Sequence, residues 1–228
     1  MGDSAFYGLN NLTSVSLPNT LATIGFECFE RCVSLESITI PNSVSQIWSS
    51  ALSYCSSLKT ISIPEGISEL NGYMFQDCTS LTSVTLPQSL TEIDSGVFSG
   101  CRSLSSVTIP SKVIKIGYFA FMDCTSLTSI SVPSMVTEIG EDAFNGCSRV
   151  RFVSIPKSVA EINADIFYDM TSLQAIYYSG TYAQWKSAYV CEYEWYEIPS
   201  SVQSHPAGWA STSCSRSSRS DGTRVWPP

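Results

Sequence analysis

Histidine is nearly missing from this 228-residue chain, with His205 the only one. It lies in a Ser-rich terminal stretch, so no Ser-His-Asp or Cys-His arrangement can be built on the patterned part of the chain. Basic residues are also scarce. Twelve Lys and Arg stand against 20 Asp and Glu for a net charge of −8, and residues 1–199 alone carry 9 against 19, or −10. That sign repels a phosphate backbone and argues against nucleic acid as a partner. No apolar run approaches the ~18 residues that a membrane span needs. Neither a G-x-G-x-x-G nor a P-loop motif occurs, and no cofactor is expected. Met1–Phe6 has no basic n-region and no apolar h-region. Phe6 also stands where a myristoylation site requires Ser or Thr.

What is present is one line written many times. Leucine recurs every 23 residues at Leu12, Leu35, Leu58, Leu81, Leu104 and Leu127, then Val150 and Leu173. Proline keeps the same step from Pro18 to Pro156, and cysteine from Cys32 to Cys147. A fixed period of this length marks a solenoid of stacked rungs. Seven complete rungs run from Leu12 to Ser172, with partial rungs at both ends. The expected organisation is a solenoid over residues 1–172, a partial repeat and cap over 173–199, and a Ser-rich tail without fixed structure over 200–228. Gly2, Ala5 and Phe6 align with Gly25, Cys28 and Phe29 one repeat later, so the chain opens inside a repeat. A polar cap is needed at a solenoid end, and the expectation is a piece of a longer protein, so the missing leader is no evidence of a cytoplasmic home.

Within Leu81–Ser103, Val84 and Leu86 alternate with Ser83 and Thr85, the pattern of a half-buried strand. Pro87 ends that strand because it has no N–H to give. Ser89–Ile93 alternates again and suits a second extended piece. Phe98 and Cys101 lie three apart, which predicts one helical turn over residues 94–101. Seven side chains therefore point inward: Leu81, Val84, Leu86, Leu90, Ile93, Phe98 and Cys101. One rung cannot offset the ordering entropy of 23 residues with those seven groups, so rungs must share a core.

The pattern L-x-x-[VI]-x-[LIV]-P-x-x-[LVI]-x-x-[IL]-x-x-x-x-F-x-x-C resembles the BspA-type leucine-rich repeat. Departures are apolar: Leu52 for Phe, Leu70 for Ile, Leu9 and Met170 for Cys. The resemblance implies an α/β repeat protein, a right-handed, horseshoe-like leucine-rich-repeat solenoid that is strand-rich with short helical turns. It also implies adhesion or protein binding, since family members are often surface or secreted proteins of host-associated bacteria and some protists. The Tyr177-Tyr178-Ser179-Gly180-Thr181 run with Trp185 is similar to the Y-Y-x-G-T-x-x-x-W ending that closes many such arrays. It is read as a cap, with a helical piece at Gln184–Tyr189.

Candidate chemistry thins out under scrutiny. The in-register cysteines share a slot with Leu9 and Met170, so the slot is apolar and its thiols are expected to be free and buried. Cys28 and Cys32 lack two further ligands for zinc. Cys191 and Cys214 are candidates for a disulfide in an oxidising compartment. Glu69, Glu92, Glu138 and Glu161 form a row interrupted by Lys115, a solvated face rather than a calcium site. Asp77, Asp123 and Asp169 alternate with Gly100 and Gly146, a pattern assigned to turn geometry. No catalytic or metal residues are expected, and the chain is read as no enzyme.

The candidate binding face is what the strands turn outward: Ser83, Thr85, Ser106, Thr108, Ser129, Ser131, Phe152, Ser154 and Tyr177. Serine and threonine also serve there as soluble, strand-compatible fillers. Phe152, Tyr177, Tyr178 and Trp185 are candidate anchors because aromatics dominate binding energetics, with Tyr178 and Trp185 alternatively in the cap core. The expected partner is a protein or a glycan, host-derived or not. The chain is read as a monomer or as part of a longer chain. The competing reading is an intracellular scaffold or spacer with no tight ligand. Asn11-Leu12-Thr13 is a lone glycosylation sequon.

Overall fold

The computed structural model describes residues 1–190 and the backbone of Gln203–Ser204. The chain is a strand-rich solenoid, one 23-residue rung per turn, closed by a short α-helix. Three backbone ladders join the rungs. The first runs through the strands that follow each leading leucine. Ser14–Val15 pairs with Ser37–Ile38, and Thr60–Ser62 with Ser83–Thr85. Ser129–Ser131, Phe152–Ile155, Ala175–Tyr178 and Gln203–Ser204 then form one four-stranded parallel sheet. Ser106–Thr108 forms no strand, so the hydroxyl-bearing face is divided there rather than continuous.

The second ladder joins the shorter extended pieces. Its longest part is Glu69–Leu70, Glu92–Ile93, Lys115–Ile116 and Glu138–Ile139, each exactly one rung from the next in register. Between the two ladders the proline opens a tight turn: the Pro87 carbonyl accepts the Leu90 N–H at 3.2 Å, and Pro41, Pro64, Pro110, Pro133 and Pro156 repeat the bond.

The third ladder replaces the expected helical turn. Over residues 94–101 the chain makes two tight turns, Ser99 N–H to Gly96 O at 3.1 Å and Cys101 N–H to Phe98 O at 3.0 Å. Gly96 and Gly100 are left-handed, with φ of 63° and 73°. This alternation turns every second N–H out of the rung. Gly96, Phe98 and Gly100 donate to Tyr118, Ala120 and Met122 carbonyls, each at 2.8 Å. A helical turn would keep those donors inside its own rung and leave the stack unjoined on this side. The cost is a left-handed residue at the same two places of most rungs, among them Tyr73 and Asp77, and Phe119 and Asp123.

The seven expected inward columns are buried or, like Val84, half-buried, except for Leu9 in the first, partial rung, which is exposed. An eighth lies beside them: Cys28, Ala51, Met74, Val97, Ala120, Ala143 and Ile166 are all buried next to the phenylalanine column. The phenylalanine rings stack along the axis, Phe75 on Phe98 at 5.5 Å, Phe98 on Phe121 at 5.3 Å and Phe121 on Phe144 at 5.8 Å. Such offset stacking adds to the area each ring buries. The cap is a helix at Tyr182–Ala188, begun by a reciprocal bond pair in which Thr181 Oγ1 accepts the Gln184 N–H and Gln184 Oε1 accepts the Thr181 N–H. Of the structureless tail expected over 200–228, Gln203–Ser204 is instead a strand paired with Ala175–Ile176, and the rest lies outside the described residues, as do Cys191, Cys214 and His205.

Candidate functional site

The cysteine column is backbone chemistry rather than a reactive site. Cys101 Sγ donates to Phe75 O at 3.2 Å, Cys124 to Phe98 O at 3.2 Å and Cys147 to Phe121 O at 3.2 Å, so each thiol reaches back one rung to a carbonyl already used by a turn. Burial pushes the thiols of Cys55, Cys78, Cys101 and Cys124 well up, and that of Cys147 to about 12. A neutral thiol is neither a nucleophile nor a metal ligand.

The carboxylate row lies on the second ladder as expected. Glu92 and Glu138 flank Lys115 in register, and Lys115 Nζ pairs with Glu138 Oε1 at 3.4 Å. That carboxylate, then the charge of its neighbours, raises the lysine pKa. Among the described residues no group of three or more His, Cys, Asp or Glu converges as a metal site.

The Asp and Gly alternation has a steric cause. A Cβ at Gly100 would overlap Asp77 Oδ1, and one at Gly146 would overlap Asp123 Oδ1. Each aspartate leans over the following rung, which must then carry glycine. Farther toward the N-terminus the same column holds Arg31 and Tyr54, with the guanidinium 4.9 Å above the ring. With Tyr7 and Asp77 they line an open groove of ≈ 620 Å³. Sequence reading missed it because those residues come from different rungs and depart from the Asp/Gly rule singly.

Hydroxyl groups divide into two sets. In the first, a side chain donates to the backbone carbonyl of the preceding rung: Thr82 to Lys59 O at 3.1 Å, Thr91 to Ser68 O at 3.0 Å, and Thr79, Thr125 and Thr171 likewise at 3.4 Å. These support the stack. The second set is the outward face of the first ladder. Ser83, Thr85, Ser106, Thr108, Ser129 and Ser131 are exposed and Ser154 is half-exposed. None of these seven hydroxyls bonds to another described group, and all remain available to a ligand.

That face ends in aromatics. Phe152 and Tyr177 are exposed, with ring centroids 6.2 Å apart. The Arg151 guanidinium sits 5.4 Å from the Phe152 centroid. It is held by Gln174 Oε1, which accepts from Nε at 3.2 Å and Nη2 at 2.9 Å. Tyr178 and Trp185 belong elsewhere. They are 5% and 3% exposed and meet edge to face at 5.4 Å, so they are cap core and not anchors. The candidate residues thus fall in two groups, Ser83 and Thr85 on one paired ladder and Ser129, Ser131, Phe152, Ser154 and Tyr177 on another. Ser106 and Thr108 lie between them. Arg151 and Gln174 were not foreseen, since they meet only across a rung boundary.

A solenoid of 23-residue rungs with a strand on one side and alternating leucine, proline and phenylalanine columns defines a leucine-rich-repeat protein. The chain belongs to the BspA type leucine rich repeat family, whose model matches residues 1–125 and 69–194 in six copies. Its fold is similar to that of a leucine rich cell surface protein from Faecalibacterium prausnitzii, at 26% identity and a TM-score of 0.57. That match covers 82% of this chain and 65% of the other. A leucine rich repeat protein of T. pallidum is 33% identical over 66% of this chain and 70% of its own, with a TM-score of 0.61. A leucine-rich repeat protein from Bacteroides ovatus is 25% identical, covering 89% and 68%, with a TM-score of 0.51. This chain therefore spans about two thirds of the length of each. A search of curated proteins gives no match.

Proposed function

We propose that this chain is a non-enzymatic binding or adhesion module of a cell-surface or secreted protein, recognising a protein or glycan through its strand face. The observation that carries the reading is the contrast between hydroxyls. Those facing the neighbouring rung are bonded, whereas Ser83, Thr85, Ser106, Thr108, Ser129, Ser131 and Ser154 keep their donors and acceptors unused on the surface. Phe152 and Tyr177 supply apolar contact area at the end of that face, and aromatic groups flanked by polar ones are the usual centre of a binding surface. The cell-surface description of the F. prausnitzii relative supports the location. Neutral buried thiols and the lack of a histidine within residues 1–199 support a role without catalysis.

The test is a glycan and extracellular-protein array probed with the full chain and with a Phe152→Ala, Tyr177→Ala double variant. A ligand bound by the wild type and lost by the variant, with the unfolding midpoint unchanged, supports the reading. No ligand at all, or one bound equally by both, leaves the solenoid a spacer on this face.

A further inference from the structure

Resting on the strand-face reading, we infer that the C-terminal half of this face takes an extended acidic glycan, laid along the solenoid axis with one sugar per rung. The first argument is register. Ser131, Ser154 and Tyr177 are direct partners in consecutive strands, as are Ser129, Phe152 and Ala175. Equivalent groups on paired strands therefore repeat at about 4.8 Å along the axis. A 1,4-linked pyranose in an extended chain advances by a length close to that, so one sugar lies over each rung and alternate sugars turn the same edge to the columns. An extended peptide advances about 3.3 Å per residue and presents the same side only every second one. Its repeat falls out of step with the rungs after one or two contacts.

The second argument is charge. The stretch from Arg149 to Lys157, which includes Arg151, holds three basic residues and no acid, in a chain whose net charge is −8. All three are exposed. Arg31, Lys59 and Lys115 are each in an ion pair, whereas these three are in none among the described residues. Arg151 is also fixed in place. Gln174 takes one bond each from Nε and Nη2, which leaves the Nη1 donors and one on Nη2 facing away from it. A neutral partner orients the guanidinium without cancelling its charge, and a planar fork held this way suits a carboxylate. Beside it the Phe152 and Tyr177 rings offer apolar surface to the C–H face of a sugar, and Ser129, Ser131 and Ser154 offer hydroxyls to its edge. A neutral glycan would make no use of Arg151.

The probes are a β-1,4-linked mannuronate hexamer, its carboxyl methyl ester, and octaglutamate, each titrated into the full chain by calorimetry. The expected order is acid hexamer tightest, ester at least about tenfold weaker, and octaglutamate weakest. Arg151→Gln should remove the preference for acid over ester, while Ser129→Ala with Ser131→Ala and Ser154→Ala should weaken both hexamers. Octaglutamate binding as well as the acid hexamer would overturn the register argument and mark the site as a generic cation patch. Equal affinity for acid and ester would overturn the role of Arg151. If neither hexamer binds, but an array ligand is still lost with the Phe152→Ala, Tyr177→Ala variant, the inference falls and the strand-face reading stands. If that variant also loses nothing, both fall.

Discussion

Thr82 and Thr85 sit three residues apart on one rung, and their hydroxyls have opposite fates. Thr82 donates to the Lys59 carbonyl one rung below at 3.1 Å, whereas the exposed Thr85 hydroxyl bonds to nothing described. The same contrast recurs along the molecule, so a Ser- and Thr-rich composition covers two different jobs. One set holds neighbouring rungs together where a backbone carbonyl has an acceptor to spare. The other set lies on the outward face of the strands, where the backbone is already paired and the side chain is left over. Residue type does not separate them; position within the rung does.

The comparison can be broken most strongly at the turns, where stacking is least tolerant. Gly100→Ala should cost about 1–2 kcal/mol for the left-handed backbone alone, and more for the overlap with Asp77 Oδ1. Asp77→Gly in the same chain should restore the part due to overlap, read from urea midpoints of the single and double variants. A smaller effect separates the two threonines. Thr82→Val should lower stability by about 0.5–1.5 kcal/mol, while Thr85→Val should stay within about 0.5 kcal/mol of wild type. Equal losses would mean that the outward hydroxyls also support the stack.

The smallest effect is electrostatic. Lys59 Nζ lies 2.7 Å from Glu36 Oε2 on the exposed flank of the strand face, and its hydrogen bond, then its charge, lowers the Glu36 pKa. A carboxylate with a lowered pKa contributes stability above its unfolded value, close to the ordinary 4.5, and loses it as pH falls through the folded value. The wild type should therefore exceed Glu36→Gln slightly at pH 7, with the difference vanishing in acid. Because the pair is exposed, added salt should shrink it too. A difference that grows on acidification would contradict this sign.

Much of the fold was legible in the sequence because a repeat states each inward position seven times over. A single Leu86 says little, but a column from Ile40 to Ile155 can only be core. Two features were not legible. The eighth column, from Cys28 to Ile166, mixes Ala, Met, Val and Cys, and its small members hide an apolar rule. The turns over residues 94–101 were read as helical because Phe98 and Cys101 are spaced as on a helix. Left-handed residues such as Tyr73 and Phe119 carry no sequence mark of that conformation. Their necessity comes from the third ladder, a property of two rungs together. The same limit applied to the candidate site. Exposed columns could be listed rung by rung, but the grip of Gln174 on Arg151 and the burial of Trp185 within the cap depend on which rung stacks on which.

The most direct test sets the two hydroxyl classes against each other in one ligand-binding and unfolding experiment. One variant carries Ser129→Ala, Ser131→Ala and Ser154→Ala, and the other Thr79→Ala, Thr125→Ala and Thr171→Ala. The first should keep the wild-type unfolding midpoint and bind the strand-face ligand more weakly. The second should keep binding and unfold earlier, since each removed bond is worth roughly 0.5–1.5 kcal/mol. If the first variant unfolds early with binding intact, or the second loses binding at unchanged stability, the division between stack-supporting and ligand-facing hydroxyls is wrong.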